Sequence, residues 1–310
     1  MPTPKLPTEK QLQIEELLDQ GFSSRFIAEN IGVCKSTVNN YRPKEKSLRK
    51  TNGPKITFLD IETAATLGYF FGRFKINIGQ ENVLTEGGWI LCASWITNDS
   101  DQVHSIFLTP EEIAKQDDSR IIAAMHDVYR ESDIIVAHNS LGFDHKVIQT
   151  RSVFNNYPAL PLVKVMDTLQ MCKKHLKLPS NRLDSIGEYF DLGRKIKHSG
   201  ISLWKEVQSG NPVAMKEMLE YCKGDTILLK RVYNKLKHLG DGGAGINHGL
   251  YYNDGLIHCK HCGSADVIAT DRTINTPLSV FKEYACNSCG GVMRDRESLV
   301  DSNDRKTLLT

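Results

Sequence analysis

The order of apolar runs between residues 55 and 240 is the strongest constraint on how this chain folds. Runs of strand length come first: "KITFLDIET", then "GWILCASWITN" and "QVHSIFLT". After them "RIIAAMHDVYRES" has helical spacing, "DIIVAHN" is strand-like, a helix begins at about Asp144, and "VKVMDTL" ends a fifth strand before a mostly helical remainder. A meander of strands followed by strand–helix alternation predicts an α/β domain, a mixed sheet flanked by helices. A chain of 310 residues can bury one such core and still carry one or two small modules.

Residues 8–42 read as three short helices. "TEKQLQIEELLDQG" sets Leu12, Ile14, Leu17 and Leu18 at helical spacing and stops at Gly21. Ser23 or Ser24 is placed to cap "SRFIAEN", and Gly32 permits a positive-φ turn before a third helix from Lys35 to Arg42. Ala28 is small where two helices would cross closely, and Ile31, Val33, Val38 and Tyr41 would form the inside. This is the pattern of a helix-turn-helix. Its third helix would present Lys35, Ser36, Thr37, Asn39, Asn40 and Arg42, donors and acceptors suited to base edges and phosphates in the major groove of duplex DNA. A three-helix protein-interaction module is the alternative. The segment "YRPKEKSLRKTNGPK" that follows holds six basic residues and one acid, a linker that rests on phosphate or stays solvated.

At the other end, Cys259-x2-Cys262 and Cys286-x2-Cys289 are separated by 23 residues, and each pair is followed by a glycine, Gly263 and Gly290. Strand-like "DVIATDR" and "SVFKEYA" lie between them. Four thiolates so spaced predict a structural Zn2+ and a small β zinc ribbon, a module too short to bury enough core unaided. No run approaches the ~18 apolar residues of a membrane span and the N-terminus lacks a signal-peptide core, so the expected setting is the cytoplasm, with no membrane partner. A reducing compartment favours metal over disulfide. Cys34, Cys92, Cys172 and Cys222 sit singly in apolar or helical patterns and are expected as packed thiols. The net charge of +2 says little about partners.

Carboxylates appear where a core is expected. In "FLDIET" Phe58, Asp60 and Glu62 share one strand face, and Leu59 and Ile61 share the other. Two acids on one face repel unless they lie at an exposed strand end or share a cation. Asp144, after the loop "SLGF", suits a helix cap or a metal ligand. In "VAMKEMLEYCKGDTILLKRVYNKLKHL", helical spacing puts Asp225 on the stripe of Met218, Tyr221, Cys222, Leu228, Leu229 and Val232, facing the core. Gly224 costs that helix roughly 1 kcal/mol relative to alanine, which close approach of substrate or simple packing would explain. Four carboxylates in three apolar contexts call for a shared cation, and oxygen ligands favour Mg2+ or Mn2+.

The order Asp60-x-Glu62, Asn139-x3-Phe143-Asp144, Tyr221-x3-Asp225 resembles the three motifs of the DnaQ-like (DEDD) 3′→5′ exonucleases, which have a ribonuclease H-like fold. Tyr221 resembles the tyrosine subgroup; the histidine subgroup's position is Glu220 here. Over roughly 55–238, "HNSLGFD" and "GRKIKHSG" with its surroundings are similar to phage-type exonucleases of that superfamily. The resemblance implies a two-metal hydrolase releasing nucleoside 5′-monophosphates from a single-stranded 3′ end. Asp60, Glu62, Asp144 and Asp225 would hold two Mg2+ or Mn2+ ions, Tyr221 would orient the attacking water, and Asn139 would shape the loop around Asp144. Asp167 would support the site or make a structural hydrogen bond. "YFFGRFK" interleaves aromatic and basic residues, suiting base stacking or a packed strand. Arg194, Lys195, Lys197 and His198 would follow a phosphate backbone or form a solvated loop. A DNA exonuclease is the leading reading; an RNA-processing nuclease and a non-catalytic DNA-binding regulator are the alternatives. The expected domains are a helix-turn-helix (1–42), a basic linker (43–54), the exonuclease (55–240), a glycine-rich linker (241–256), the zinc ribbon (257–296) and a tail (297–310). The oligomeric state is left open.

Overall fold

A computed structural model of the protein describes residues 8–19, 24–41, 53–70 and 79–308. The chain divides into two units, Met1–Arg49 and Lys50–Thr310. Among the described residues no helix is long and apolar enough to cross a membrane.

In the first unit, α1 (Thr8–Asp19), α2 (Ser24–Ile31) and α3 (Lys35–Tyr41) bury Ile14, Ile27, Ala28 and Val38 in a common centre. Leu17, Leu18, Ile31, Val33 and Tyr41 pack around it. Gly32 takes φ +69 with open space about it, so the turn needs its backbone freedom rather than its size. Two expectations fail locally. Leu12 is 62% exposed, because two positions before Ile14 is a different helix face. Cys34 is an exposed thiol, not a packed one. It precedes α3, where its Sγ lies 3.0 Å from Ser36 Oγ and 2.9 Å from Thr37 Oγ1. The Ser36 and Thr37 hydroxyls lower its pKa to about 7. Lys35 and Ser36 are exposed and Thr37 is half-buried. The side chains of Asn39 and Asn40, and all of Arg42, lie outside the described residues.

The second unit is built on a five-stranded sheet. Its strands are β1 (Ile56–Thr63), β4 (Ile90–Thr97), β5 (His104–Phe107), β6 (Ile134–Ala137) and β7 (Lys164–Asp167), ordered β5-β4-β1-β6-β7. The pairs β1/β4 and β4/β5 are antiparallel, whereas β1/β6 and β6/β7 are parallel. The mixed α/β fold, with helices on both faces, is as expected. A short hairpin of β2 (Leu67–Gly68) and β3 (Val83–Thr85) is not signalled in the sequence. Leu67 and Gly68 carry little strand signal because their pairing depends on partners well over ten residues further on, at Thr85 and Val83.

On one face, Leu59 and Ile61 of β1 pack with α4 (Pro110–Lys115), α5 (Ser119–Glu131) and α6 (Asp144–Phe154). A buried ion pair fixes that layer: Arg151 donates to Asp118 from Nε at 2.7 Å and Nη2 at 2.8 Å. Asp118, fully buried, also accepts from the Ile90 N–H and from Asn155. On the other face, Phe58 packs with α7 (Thr168–His175), α8 (Leu183–Tyr189) and α10 (Pro212–Leu236), its ring 5.2 Å from that of Tyr233. The helix α9 (Ile201–Gln208) packs with the first layer through Leu203 and Val207.

The 25 residues of α10 bury the predicted stripe, including Met218, Tyr221, Cys222, Asp225, Leu228, Leu229 and Val232. Polar pins set its register on the sheet. Ser94 Oγ donates to the Cys222 carbonyl at 2.9 Å and lies 2.5 Å from Thr226 Oγ1. After a turn-rich stretch, β8 (Val267–Thr276), β9 (Ser279–Cys286) and β10 (Val292–Ser298) form a small antiparallel sheet, followed by α11 (Ser302–Arg305). Its third strand, β10, runs past the 257–296 expected for the module, because the chain stays tied to β9 through the Leu299 N–H, which donates to the Val280 carbonyl.

Candidate active site

Asp60 and Glu62 stand on the α10 face of β1, opposite Ser94 and Cys92 of β4, next to a break in register at Glu62/Thr63. Cys222 packs directly beneath, its Sγ 3.6 Å from the Asp60 carbonyl. One turn further along α10, Asp225 is brought to the same spot. The result is an acidic triad: carboxylate oxygens of Asp60, Glu62 and Asp225 all lie within 4.8 Å of one another. Asp144 is not part of that close set. It is the first residue of α6, with Phe143 at the cap position, and is buried at 3% exposure. Its charge nevertheless reaches Asp60 and Glu62.

The electrostatics are those of a site short of positive charge. Burial first, then repulsion from Glu62, Asp225 and Asp144, holds the Asp60 carboxyl well above the ordinary carboxylate range. Burial, then the Asp225 charge, pushes Glu62 up to about 8. Burial raises Asp144 to about 7, with the Asp167 charge adding and backbone N–H groups opposing. Asp60 Oδ2 and Asp225 Oδ1 are buried with no hydrogen-bond partner among the described residues. Buried carboxylate oxygens without partners, facing one another, fit a divalent cation.

One cation of the chain itself is present. Lys195 Nζ lies 2.5 Å from Asp225 Oδ2 and 3.0 Å from Tyr221 Oη, and 5.1 Å over the Tyr221 ring. Burial disfavours the ammonium, but the Asp225 charge and the hydrogen bonds to Asp225 and Tyr221 outweigh it and raise the lysine's pKa. Burial also raises Asp225 itself, against the lysine's pull. Tyr221 is further held by edge-on rings, His198 at 4.6 Å and Trp204 at 6.4 Å, and Trp204 Nε1 donates to the Thr63 carbonyl at 3.0 Å. The sequence marks His198 only as part of a basic loop and gives Trp204 no signal, since their ring contacts to Tyr221 exist only once the loop before α9 and α9 itself meet α10.

The basic loop is therefore not a simple phosphate track. Arg194 is occupied, donating to Asp184 at 2.8 Å and Glu188 at 2.7 Å. Lys195 turns inward to the carboxylates, and Lys197 alone of the three is exposed without an ion pair among the described residues. Gly224 lies against the residue next to Lys195: a Cβ there would stand 2.9 Å from Ile196 Cδ1 and 3.1 Å from Cγ1. Packing of Ile196, the neighbour of Lys195, is what this glycine makes room for.

Asp167 is a structural anchor. It caps α7 by accepting from Leu169 N–H, and it accepts from Asn139 N–H at 2.9 Å and Leu141 N–H at 3.2 Å. Asn139, at φ +67, accepts at its carbonyl from Gly142 and Phe143, shaping the loop that delivers Asp144. Beside Lys195 a hollow of about 540 Å³ is lined by His138, Asn139, Leu169, Asn181, Leu183 and Asp184. Of "YFFGRFK", Tyr69 and Phe70 are exposed, and Phe71 to Lys75 lie outside the described residues.

In the C-terminal sheet the four cysteine sulfurs also lie within 4.8 Å of one another. Cys259 and Cys289 are 3.7 Å apart at Sγ, and Cys262 and Cys286 are 3.6 Å apart. A tetrahedral ion at ~2.3 Å from each thiolate spaces the sulfurs by about 3.8 Å, so Cys259, Cys262, Cys286 and Cys289 fit Zn2+. The His261 N–H points at Cys259 Sγ from 3.4 Å, as such knuckles require.

A central mixed sheet flanked by helices, with carboxylates gathered where β1 meets α10, is a ribonuclease H-like architecture. Residues 57–237, more than half of the chain, match the family model of the RNase H superfamily. The chain belongs to that superfamily. Among solved structures it is similar to a family B DNA polymerase from the hyperthermophilic archaeon Pyrobaculum calidifontis, at 14% identity and a TM-score of 0.45, covering 64% of this chain and 27% of that one. The chain thus spans about a quarter of that polymerase's length. No curated protein matches it.

Proposed function

We propose that the protein is a metal-dependent 3′→5′ exonuclease of the DnaQ-like tyrosine type, similar to phage-type enzymes, which shortens DNA and releases nucleoside 5′-monophosphates. The observation that carries this reading is the convergence of Asp60, Glu62 and Asp225 within 4.8 Å, with two buried oxygens unpaired. Asp60, Glu62 and Asp225 would hold divalent ions, Mg2+ or Mn2+, with Asp144 completing the set from α6. Bound there, two such ions would supply a water of lowered pKa and charge stabilisation for both oxygens of an in-line displacement.

The chain's own residues do the rest. The Tyr221 phenol, held by His198 and Trp204, presents Oη as a hydrogen-bond partner that orients the attacking water. Lys195 balances part of the negative charge and holds Tyr221 Oη and Asp225 Oδ2 in a fixed relation. The hollow beside it has the volume of a nucleotide-sized ligand pocket and would receive the 3′-terminal residue of a single strand. The helix-turn-helix would deliver duplex DNA through Lys35, Ser36, Thr37, Asn39, Asn40 and Arg42, with Lys197 as a further backbone contact. The four-cysteine module would keep its sheet folded by holding Zn2+.

The test uses single- and double-stranded DNA and RNA labelled at the 3′ or the 5′ end, with Mg2+ or Mn2+ added. Loss of 3′-label as mononucleotide from DNA, abolished by Asp60→Ala and Asp225→Ala, is the expected result. Preference for RNA moves the enzyme to RNA processing. No shortening of any substrate, or full activity in both variants, overturns catalysis and leaves a DNA-binding regulator.

A further inference from the structure

Away from the carboxylates, a cavity of about 210 Å³ lies between the ends of α7 and α10, the turn at Gly240–Ile246 and the first cysteine knuckle. His248 lines it and is 2% exposed, yet neither Nδ1 nor Nε2 has a hydrogen-bond partner among the described residues. Its backbone N–H donates to the Lys260 carbonyl at 3.0 Å, fixing the residue against the knuckle. Buried polar side-chain atoms are nearly always paired, so two unpaired nitrogens on one buried ring point to a polar ligand.

The charges of the lining say which kind. Lys174, Lys237 and Lys260 bring three ammonium groups from three separate segments. Among the described residues Lys174 and Lys260 Nζ have no hydrogen bond or ion pair, and Lys237 Nζ donates only to Asn234, at 3.2 Å. The one carboxylate of the lining, Asp241, is turned to backbone N–H groups of Gly243 at 2.9 Å and Ile246 at 2.5 Å. His175 and His261 also line the cavity, but the imidazoles are not gathered as metal ligands: among the described residues only the acidic triad and the four cysteines are. The cavity is smaller than the ~300 Å³ at which pockets begin to take drug-sized ligands, and admits a compact anion.

We propose that this cavity binds a phosphate that carries an O–H, either inorganic phosphate or the terminal monoester of a nucleotide or strand end. Lysine ammonium groups and one His248 N–H donate to its oxygens, and its O–H donates to the other His248 nitrogen; inorganic phosphate keeps an O–H at neutral pH, whereas a monoester keeps it only below about pH 6. Burial, then the charges of His261 and Lys237, lower His248 to about 4, so the neutral ring has one donor and one acceptor to fill. A phosphodiester has no O–H and leaves the acceptor nitrogen unpaired.

The experiment uses full-length, zinc-loaded protein free of Mg2+ and Mn2+, labelled with 15N-histidine, and titrates inorganic phosphate. The expected result is a saturable shift of the His248 ring nitrogens. Lys174→Gln and Lys260→Gln, both at exposed positions, should each weaken binding by on the order of tenfold with an unchanged melting temperature. At about pH 5.5, where a monoester retains its O–H, a 5′-phosphorylated oligonucleotide that produces the same shift, where its 5′-hydroxyl counterpart does not, identifies a strand end as the ligand. Response to inorganic phosphate, with none to either oligonucleotide, identifies the free anion. No phosphate-dependent shift at His248, undiminished binding by both lysine variants, or the same shift caused by both oligonucleotides overturns the proposal.

Discussion

Gly224→Ala separates stability from activity, and the structure gives the sign of each. The added Cβ would lie 2.9 Å from Ile196 Cδ1, where ordinary contacts begin at 3.4 Å, so the Ile196 tip must retreat by about 0.5 Å. Ile196 is 45% exposed and can do so without disturbing a core. Replacing a mid-helix glycine by alanine stabilises by ~1 kcal/mol, which in a unit of this size is a rise of about 2–4 °C in melting temperature. Whatever part of that retreat the backbone of Ile196 takes up shifts Lys195, which sits 2.5 Å from Asp225 and 3.0 Å from Tyr221. A misplacement of ~1 Å costs up to ~100-fold, so a shift of about 0.5 Å carried in full to Lys195 lowers kcat/KM by roughly tenfold, the upper bound. Thermal melting and turnover of a 3′-labelled single strand read the two effects on one preparation. Adding Ile196→Ala to Gly224→Ala removes both contacted atoms and should restore much of the activity. Activity within about twofold of wild type in Gly224→Ala, with the melting temperature raised, would refute the link from glycine to lysine.

The carboxylates make metal-free stability depend on pH. Unfolded, Glu62 titrates at its ordinary value of 4.5, whereas folded it keeps its proton to about 8. Between those values the folded state binds more protons, so zinc-loaded protein lacking Mg2+ and Mn2+ should lose stability as pH rises from about 5 to about 8, and Mg2+ affinity should grow over the upper part of that range. A melting temperature flat with pH, or equally sloped in Glu62→Gln, contradicts this. Cys259→Ser and Cys286→Ser should lower the zinc content and unfold the β8–β10 sheet, read by metal analysis and hydrogen exchange; unchanged zinc sinks the assignment. Arg151→Ala leaves the buried Asp118 charge with fewer partners and should cost ~3–5 kcal/mol, while Arg151→Leu with Asp118→Asn should cost much less; denaturant melts decide between them.

Much of the fold is readable because the signals are local. The strand runs around Phe58, Leu91 and Ile135 are apolar and short, and the stripe on α10 has the period of a helix. Asp60, Glu62 and Asp225 stand out because acids interrupt those patterns. The inward turn of Lys195 is not readable, since a lysine in "GRKIKHSG" shows charge but not direction, and its direction is set by Asp225 and Tyr221 on α10. Arg194 looks available in the sequence because its partners, Asp184 and Glu188, lie in α8, before the loop. Trp204 and His198 act on Tyr221 through ring contacts that only the packing of α9 and α10 creates. Cys34 departs from the packed-thiol expectation because a hydrophobic count ignores what precedes a helix start.

The contact of Cys222 with Asp60 joins positions 162 residues apart. On a growing chain those residues take roughly 8–30 s to be made, at ~5–20 residues per second. Once Ile90–Thr97 has been made, β1 can pair with β4, but the acids of β1 still lack Asp225. Until α10 has been made, the acids of β1 therefore stand without their third partner, and the acidic triad is completed late in synthesis. Because α10 follows every strand of the five-stranded sheet, the triad closes only after the scaffold that carries it has been made.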